Sequence, residues 1–306
     1  SVGIYIPGGT APLISSVIMN AVPAYVAGVK EIVMCSPPPL DAARIVAANE
    51  SHVTKIYRAG GAQAIFAMAF GTETIPKVDK ITGPGNIYVA YAKKMAYGYC
   101  GIDMVAGPSE IMIIADETAN PRFVAADMLS QAEHDKLSIS SLLTTSKKLA
   151  KEVIKEITVQ AKELERSDII NESIKNNAAI YIGQDITECI DVLNECAPEH
   201  AEIITENAEV YSDYITQAGA VFVGPYSPEP LGDYLAGPNH TLPTAGTARF
   251  FSPLGVYDFM KKSSVIQYDK EALERAYKGI SLFAQCEGLD AHANAVNIRF
   301  KEKKDE

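Results

Sequence analysis

The chain has 306 residues, an apolar fraction of 47% and a formal net charge of −11. That length can bury substantial cores and predicts about two domains. Basic residues gather only in the short KEKK stretch near the C-terminus, which excludes the electrostatic footprint of a nucleic-acid-binding protein. Five scattered cysteines with no CxxC spacing, and no signal-peptide pattern, point to a reducing, cytoplasmic setting.

Short β-branched runs alternate with helical stretches. VGIYI (2–6), EIVMC (31–35), VTKIY (53–57) and KVDKIT (77–82) read as strands, with helical patterns at 11–29, 41–50 and 61–70. The run at 11–29 has about the length of a membrane span. It carries two serines, an asparagine and an internal proline and lacks a basic flank. It therefore reads as a buried helix, and no membrane is implied. A second series holds EIMIIA (110–115), SISSLL (138–143), AAIYI (178–182), AEIIT (201–205) and AVFVG (220–224), with helices near 120–134, 146–165 and 185–195. Strands alternating with helices predict βαβ units and parallel sheets. The fold class is thus α/β, with two doubly wound domains over 1–109 and 110–253 that meet near AGPSE (106–110). Residues 225–253 dissolve into Gly, Pro and Tyr and read as a functional loop without regular structure. The remainder, 254–306, predicts helices near 270–286 and 288–295 and is too small for its own core.

Parallel doubly wound sheets take ligands at the carboxyl ends of their strands. A nucleotide is the default ligand, although G-x-G-x-x-G is absent. IPGGTAP (6–12), AGGAQAI (59–65) and TGPGNIYVA (82–90) each follow a strand and open a helix, where free N–H groups and the helix dipole favour anions. The plainer reading is that these glycines only make tight turns.

The polar residues are fewer and more pointed. SQAEH puts Gln131 and His134 three positions apart, on one face of a helix end, where an amide oxygen and an imidazole could grip a metal. A polar helix end satisfying its last carbonyls is the bland alternative. Glu199 and His200 adjoin in CAPEHAEII, after a proline at a strand entrance, where a carboxylate could tune an imidazole as a base. Asp233 and His240 sit in GDYLAGPNH, and His292 in EGLDAHANAV.

The motifs YIPGG, GAQAI, TGPGN, AGPSE, SQAEH, APEH, GDYLAGPNH with LPT, and E-x-L-x-AH-x-NAV occur in this order from Tyr5 to Val296. In this the sequence resembles the histidinol dehydrogenase family. The resemblance implies oxidation of L-histidinol to L-histidinal and then to L-histidine, with two NAD and one zinc ion per chain. It implies Gln131, His134, Asp233 and His292 as zinc ligands, a donor set that could also hold manganese or cobalt. Glu199 and His200 would be the catalytic pair. Ser109, His240 and Glu287 would contact substrate, together with Gln131, His134, His200, Asp233 and His292. Tyr5, Gln63 and Asn86 would contact NAD, making 1–109 the NAD-binding Rossmann-like domain, 110–253 the domain of metal and catalysis, and 254–306 a dimerisation tail. A homodimer is implied, with Glu287 and His292 donated in trans. The family's segment before YIPGG has no counterpart here, so the sheet containing EIMIIA is expected to lack strands and to expose an edge. The competing readings are a zinc- and NAD-dependent dehydrogenase of a polyol or sulfonated diol, and an inactive fragment. Ser109, His240 and Glu287 together favour histidinol.

Overall fold

A computed structural model describes residues 1–8 and 13–301 of the chain. Residues 9–12 of the IPGGTAP loop, and 302–306, which include most of KEKK, lie outside the described residues. The chain forms two compact units, Ser1–Met260 and Lys261–Glu306.

The first unit contains two five-stranded parallel sheets. The first sheet is built from β1 (Val2–Tyr5), α1 (Ile14–Val26), β2 (Ile32–Cys35), α2 (Ala42–Glu50), β3 (Lys55–Tyr57), α3 (Gly61–Phe70), β4 (Lys80–Thr82), α4 (Ile87–Ala96) and β5 (Gly101–Ile102). Its order is β3-β2-β1-β4-β5, with Val2 in register with both Ile32 and Lys80. VGIY and IVMC are buried at every position, as helices on both faces demand. Val17, Ala21 and Ala24 of α1 cover Ile4 and Met34 on one face. Ile65 and Met68 of α3, with Val89 of α4, cover Val33 and Ile81 on the other.

The second sheet comes from β6 (Glu110–Ala115), α5 (Pro121–Ala132), β7 (Ile139–Thr144), α6 (Lys147–Gln160), α7 (Ser167–Asn177), β8 (Ala178–Ile182), α8 (Ile186–Cys196), β9 (His200–Ile204), α9 (Ala208–Ser212) and β10 (Ala220–Val223). Its order is β10-β9-β6-β7-β8. Helix starts follow side-chain caps. Asn120 accepts from Arg122 N–H ahead of Pro121, Ser146 from Leu149 N–H, and Asp185 from Glu188 N–H.

Three sequence expectations need correction. The helix predicted over 146–165 is α6, which ends at Gln160, and a second helix, α7, follows it at Ser167–Asn177 where none was predicted. In α7 only Ile170 and Ser173 are buried, with Ile174 half-buried against the same core, so the apolar face its sequence offers is short. Residues 225–253 are not without regular structure: α10 (Glu229–Tyr234) and a 3-10 turn (Thr247–Arg249) form there, with Pro230 in the first turn of α10, where it costs no hydrogen bond. The helix before SQAEH ends at Ala132, with Glu133 as its C-cap, so His134 stands just beyond it.

The second unit is a helical pair. α11 (Lys270–Cys286) starts at Asp269, which accepts from Ala272 N–H, and α12 (Asp290–Asn297) follows a glycine turn at Gly288. Asn297 donates to Ser281 Oγ at 2.9 Å, and the rings of Tyr277 and Phe300 lie 4.7 Å apart. Leu282, Phe283 and Leu289 remain exposed on this unit. No helix among the described residues is long and apolar enough to cross a membrane.

Candidate active site

The polar cluster of the first unit assembles at the amino ends of β6 and β9. This reverses the expectation for doubly wound sheets, which places ligands at carboxyl ends. The reason is local. Ala197 caps α8 in the left-handed conformation (φ 51°), and Pro198 follows. The turn delivers Glu199 and His200 to the first position of β9, beside Ser109 and Glu110 at the start of β6. Gly219 lies against this turn, and a Cβ there would come within 2.6 Å of the Glu199 carbonyl oxygen.

One peptide orients the pair. Glu110 N–H donates to Glu199 Oε2 at 3.0 Å, and the Glu110 carbonyl oxygen is 3.1 Å from His200 Nδ1. A carbonyl only accepts, so Nδ1 carries the proton and Nε2 keeps its lone pair. The Ser109 hydroxyl also hydrogen-bonds Glu199. Both side chains are buried, at 5% exposure each. Burial pushes the Glu199 carboxyl well above its usual range. The same burial brings His200 down to about 4, helped by the nearby His134 and His240. His200 is thus a neutral base, and Glu199 a carboxyl whose burial favours the protonated form.

The second feature is a donor group. Ligand atoms of His134, Glu229 and Asp233 all lie within 4.8 Å of one another. Gln131 is fully buried, and both its amide oxygen and its amide nitrogen lack hydrogen-bond partners. His240 Nε2 and Glu229 Oε1 are likewise buried and unpartnered. Orphaned buried donors and acceptors are costly. Their concentration around a mixed N/O donor set fits a divalent cation. Burial, then the neighbouring Asp233, raises Glu229 to about 8. His134 keeps an open edge to solvent, yet the atoms crowding its ring lower its pKa, against the pull of Asp233.

Glu229, Asp127 and Glu202 were missed by the sequence reading. Asp127 of α5 and Glu202 of β9 form a buried carboxyl pair; burial raises both, Asp127 to about 6. Asp127, Ser130, Gln131 and His134 follow at i, i+3, i+4 and i+7, a polar stripe that periodicity could have revealed. Glu229 is four residues before Asp233, a helical spacing hidden because the segment read as irregular.

In the first sheet, the strand order reverses between the parallel neighbours β1 and β4, which opens a crevice at their carboxyl ends. Tyr5 ends β1 and its hydroxyl accepts from Gly61 N–H at 2.9 Å. Gln63 is exposed on the first turn of α3. Asn86 caps α4, its Oδ1 accepting from Tyr88 and Val89 N–H. Gly83 (φ +115°) touches Tyr5, and a Cβ there would lie 2.1 Å from the Tyr5 carbonyl oxygen. The buried pair Lys93–Asp103 grips its peptide: Lys93 Nζ donates to Gly83 O at 2.9 Å, and Gly83 N–H donates to Asp103 Oδ2 at 2.8 Å.

The structure thus brings together Ser109, Glu199 and His200, and joins His134 and Asp233 to Glu229. His134 and His240 are near enough to His200 to help lower its pKa, and His240 near enough to His134 to do the same. Glu287 and His292 belong to the second unit, where Glu287 caps α11, His292 lies on α12, and both are exposed.

The sequence matches the family described as histidinol dehydrogenase over residues 1–300. It is 58% identical over 304 residues to the histidinol dehydrogenase of Clostridium acetobutylicum, covering 98% of this chain and 70% of that protein. Against the histidinol dehydrogenase of Caldanaerobacter subterraneus it is 59% identical over 303 residues, again covering 98% and 70%. The crystal structure of histidinol dehydrogenase from Elizabethkingia anophelis superposes with a TM-score of 0.93 at 46% identity, over 98% of this chain and 70% of that one. An acetylating aldehyde dehydrogenase from Geobacillus thermoglucosidasius, at 15% identity and a TM-score of 0.54, shares the fold alone. The chain belongs to the histidinol dehydrogenase family, NAD-dependent oxidoreductases of histidine biosynthesis.

Proposed function

We propose that this chain oxidises L-histidinol to L-histidine through L-histidinal, with Glu199 and His200 as its acid–base pair. The observation that carries this reading is the His200 ring, buried and neutral, with Nδ1 tied to the Glu110 carbonyl and Nε2 left as acceptor. In the first oxidation His200 Nε2 accepts the hydroxyl proton as the alcohol carbon gives up hydride. In the second, Glu199 takes a proton from water as the water oxygen bonds to the aldehyde carbon. His200 then accepts the hydrate's hydroxyl proton as the second hydride leaves. The first oxidation releases one proton and the second, which ends in a carboxylate, releases two; each transfers two electrons, so the pair of steps consumes two NAD. The raised pKa of Glu199 makes it, once ionised, a stronger base than an ordinary carboxylate. Ser109, His240 and Glu287 bind the substrate's polar groups.

Gln131, His134 and Asp233, with His292 from a second copy, are the residues that would hold zinc. When bound, zinc templates the substrate by its imidazole and amine. Tyr5, Gln63 and Asn86 line the crevice for NAD, which when bound takes the hydride. The active form is a cytoplasmic homodimer, with Glu287 and His292 supplied in trans. The test is turnover of L-histidinol with NAD and zinc, reading NADH at 340 nm. Two NADH per histidinol, with L-histidine as product, is the expected result. No turnover by a folded, zinc-loaded dimer would sink the reading.

A further inference from the structure

We propose that Glu110 is a positioning residue of the reaction: its carboxylate anchors the 242–246 turn to the start of β6, and that anchor keeps its own main chain aimed at Glu199 and His200. This rests on the acid–base reading above and deepens it.

Three observations carry it. First, Glu110 faces both ways. Its N–H donates to Glu199 Oε2 at 3.0 Å and its carbonyl oxygen is 3.1 Å from His200 Nδ1, while its side-chain Oε1 accepts from Ala245 N–H at 2.8 Å. The Gly246 N–H also favours the ionised form of the same carboxyl. Second, the turn it grips is strained. Ala245 (φ 54°) and Gly246 (φ 75°) are both left-handed, and an alanine stays in that region only where its surroundings fix it. Successive N–H groups in such a turn form a concave anion site, and the Glu110 carboxylate is the anion it holds. Third, the turn is seated at further points. Thr244 Oγ1 accepts from Gly107 N–H at 2.6 Å. A Cβ on Gly107 would stand 3.2 Å from the Ala245 Cβ, and one on Gly219 would stand 3.2 Å from Pro243 Cδ and 2.6 Å from the Glu199 carbonyl oxygen.

The AGPSE and LPTAG segments therefore meet beside the turn that delivers the catalytic pair. The 242–246 turn begins two residues after His240, a substrate contact in the reading above. One carboxylate thus holds the substrate segment and the catalytic pair in a common frame. Glu110 itself does no chemistry. It matters to turnover because a catalytic group displaced by about 1 Å loses about 10²-fold in rate.

The experiment reads the ring as well as the rate. The full chain is labelled with ¹⁵N-histidine, and the His200 signals are assigned by their loss in His200→Asn. At neutral pH they report the Nδ1–H tautomer in wild type. Glu110→Ala is expected to lose that preference, to lower kcat for both oxidations by about 10²-fold, and to leave KM for NAD unchanged, because the crevice of the first sheet is untouched. Glu110→Gln keeps an amide oxygen for the Ala245 N–H, and is expected to keep the tautomer and recover most of the rate. A wild-type tautomer or a wild-type kcat in Glu110→Ala overturns the proposal, and so does a Glu110→Gln chain no better than Glu110→Ala. If Glu110→Ala fails to fold, Glu110→Asp shortens the side chain by one methylene and withdraws the carboxylate from Ala245; a wild-type tautomer and rate in that variant overturn the proposal equally. A wild-type chain that does not oxidise L-histidinol defeats the acid–base reading, and the tautomer comparison then decides the anchor by itself.

Discussion

The carbonyl oxygen of Glu110 stands 3.1 Å from Nδ1 of His200, while the N–H of the same residue donates to Glu199 Oε2. A single peptide at the start of β6 therefore fixes the tautomer of the base and the direction of the neighbouring carboxyl. The Glu110 side chain in turn accepts from Ala245 N–H at 2.8 Å, and Thr244 Oγ1 accepts from Gly107 N–H at 2.6 Å. These two bonds clasp the far end of the 225–253 segment to the strand that orients the pair.

The pair predicts a separable defect. Glu199→Gln impairs the second oxidation more than the first, because only the second needs an activated water. His200→Asn slows both by a factor of about 10² to 10⁴, since both remove a proton. Single-turnover kinetics starting from L-histidinol, and separately from L-histidinal, measure the two steps. Equal and small losses for either variant would defeat the role assignment.

The buried imidazole also predicts a pH-dependent stability. Burial lowers His200 from its usual value to about 4, while the unfolded side chain titrates near 6.5. Between those values the unfolded state binds the extra proton. The contribution of neutral His200 to stability is complete above the unfolded pKa and is lost as pH falls towards the folded one. Relative to His200→Asn, metal-free wild type loses about 2 kcal/mol between pH 7.5 and 5. Urea unfolding of both proteins at the two pH values checks it; parallel losses would show that other groups carry the slope.

The strands of the βαβ series and their parallel pairing were legible because VGIY, IVMC and IMIIA are largely apolar runs of the kind that burial on both faces permits. α7 was not, since SDIINESIKNN makes its contact through Ile170, Ser173 and the half-buried Ile174, a face too short to stand out in a polar segment. Motif residues on short loops, such as Glu199 and His200, could be read because Pro198 marks the turn. Glu229 could not, because its partners come from α5, some hundred positions earlier in sequence, and its own helix is one turn and a half beginning with Glu-Pro. The location at the amino edge of the second sheet was hidden for the same reason: it depends on how α8 reverses into β9 at Ala197, a left-handed residue that is not glycine.

The clamp on Gly83 predicts a cofactor defect with a stability signature. Lys93→Met strands the buried Asp103 carboxylate and costs about 3–5 kcal/mol. Adding Asp103→Asn removes the stranded charge while an amide oxygen can still accept from Gly83 N–H, so the double variant recovers part of that loss. The released Gly83 carbonyl lets the TGPGN loop drift from Tyr5. KM for NAD therefore rises in the double variant while KM for L-histidinol holds. Denaturant midpoints and initial rates at varied NAD test both statements. A double variant less stable than Lys93→Met, or one whose two KM values rise together, would refute the clamp.

The helical pair of the second unit predicts shared sites. Leu282 and Phe283 are 61% and 75% exposed on α11, apolar surface that a unit of this size cannot bury alone. A two-fold dimer covers such a face symmetrically and lets each tail complete the other subunit's site. The decisive measurement is complementation between two inactive chains, His200→Asn and His292→Ala. In a heterodimer with shared sites, one site carries both lesions and the other carries neither. An equimolar, fully exchanged mixture is half heterodimer, each with one intact site of two, so activity returns to about one quarter of wild type. The two chains are tagged differently, so that heterodimers can be isolated and counted. Isolated heterodimers without activity, made from chains that each still dimerise and bind NAD, would mean that every chain builds its site from its own residues.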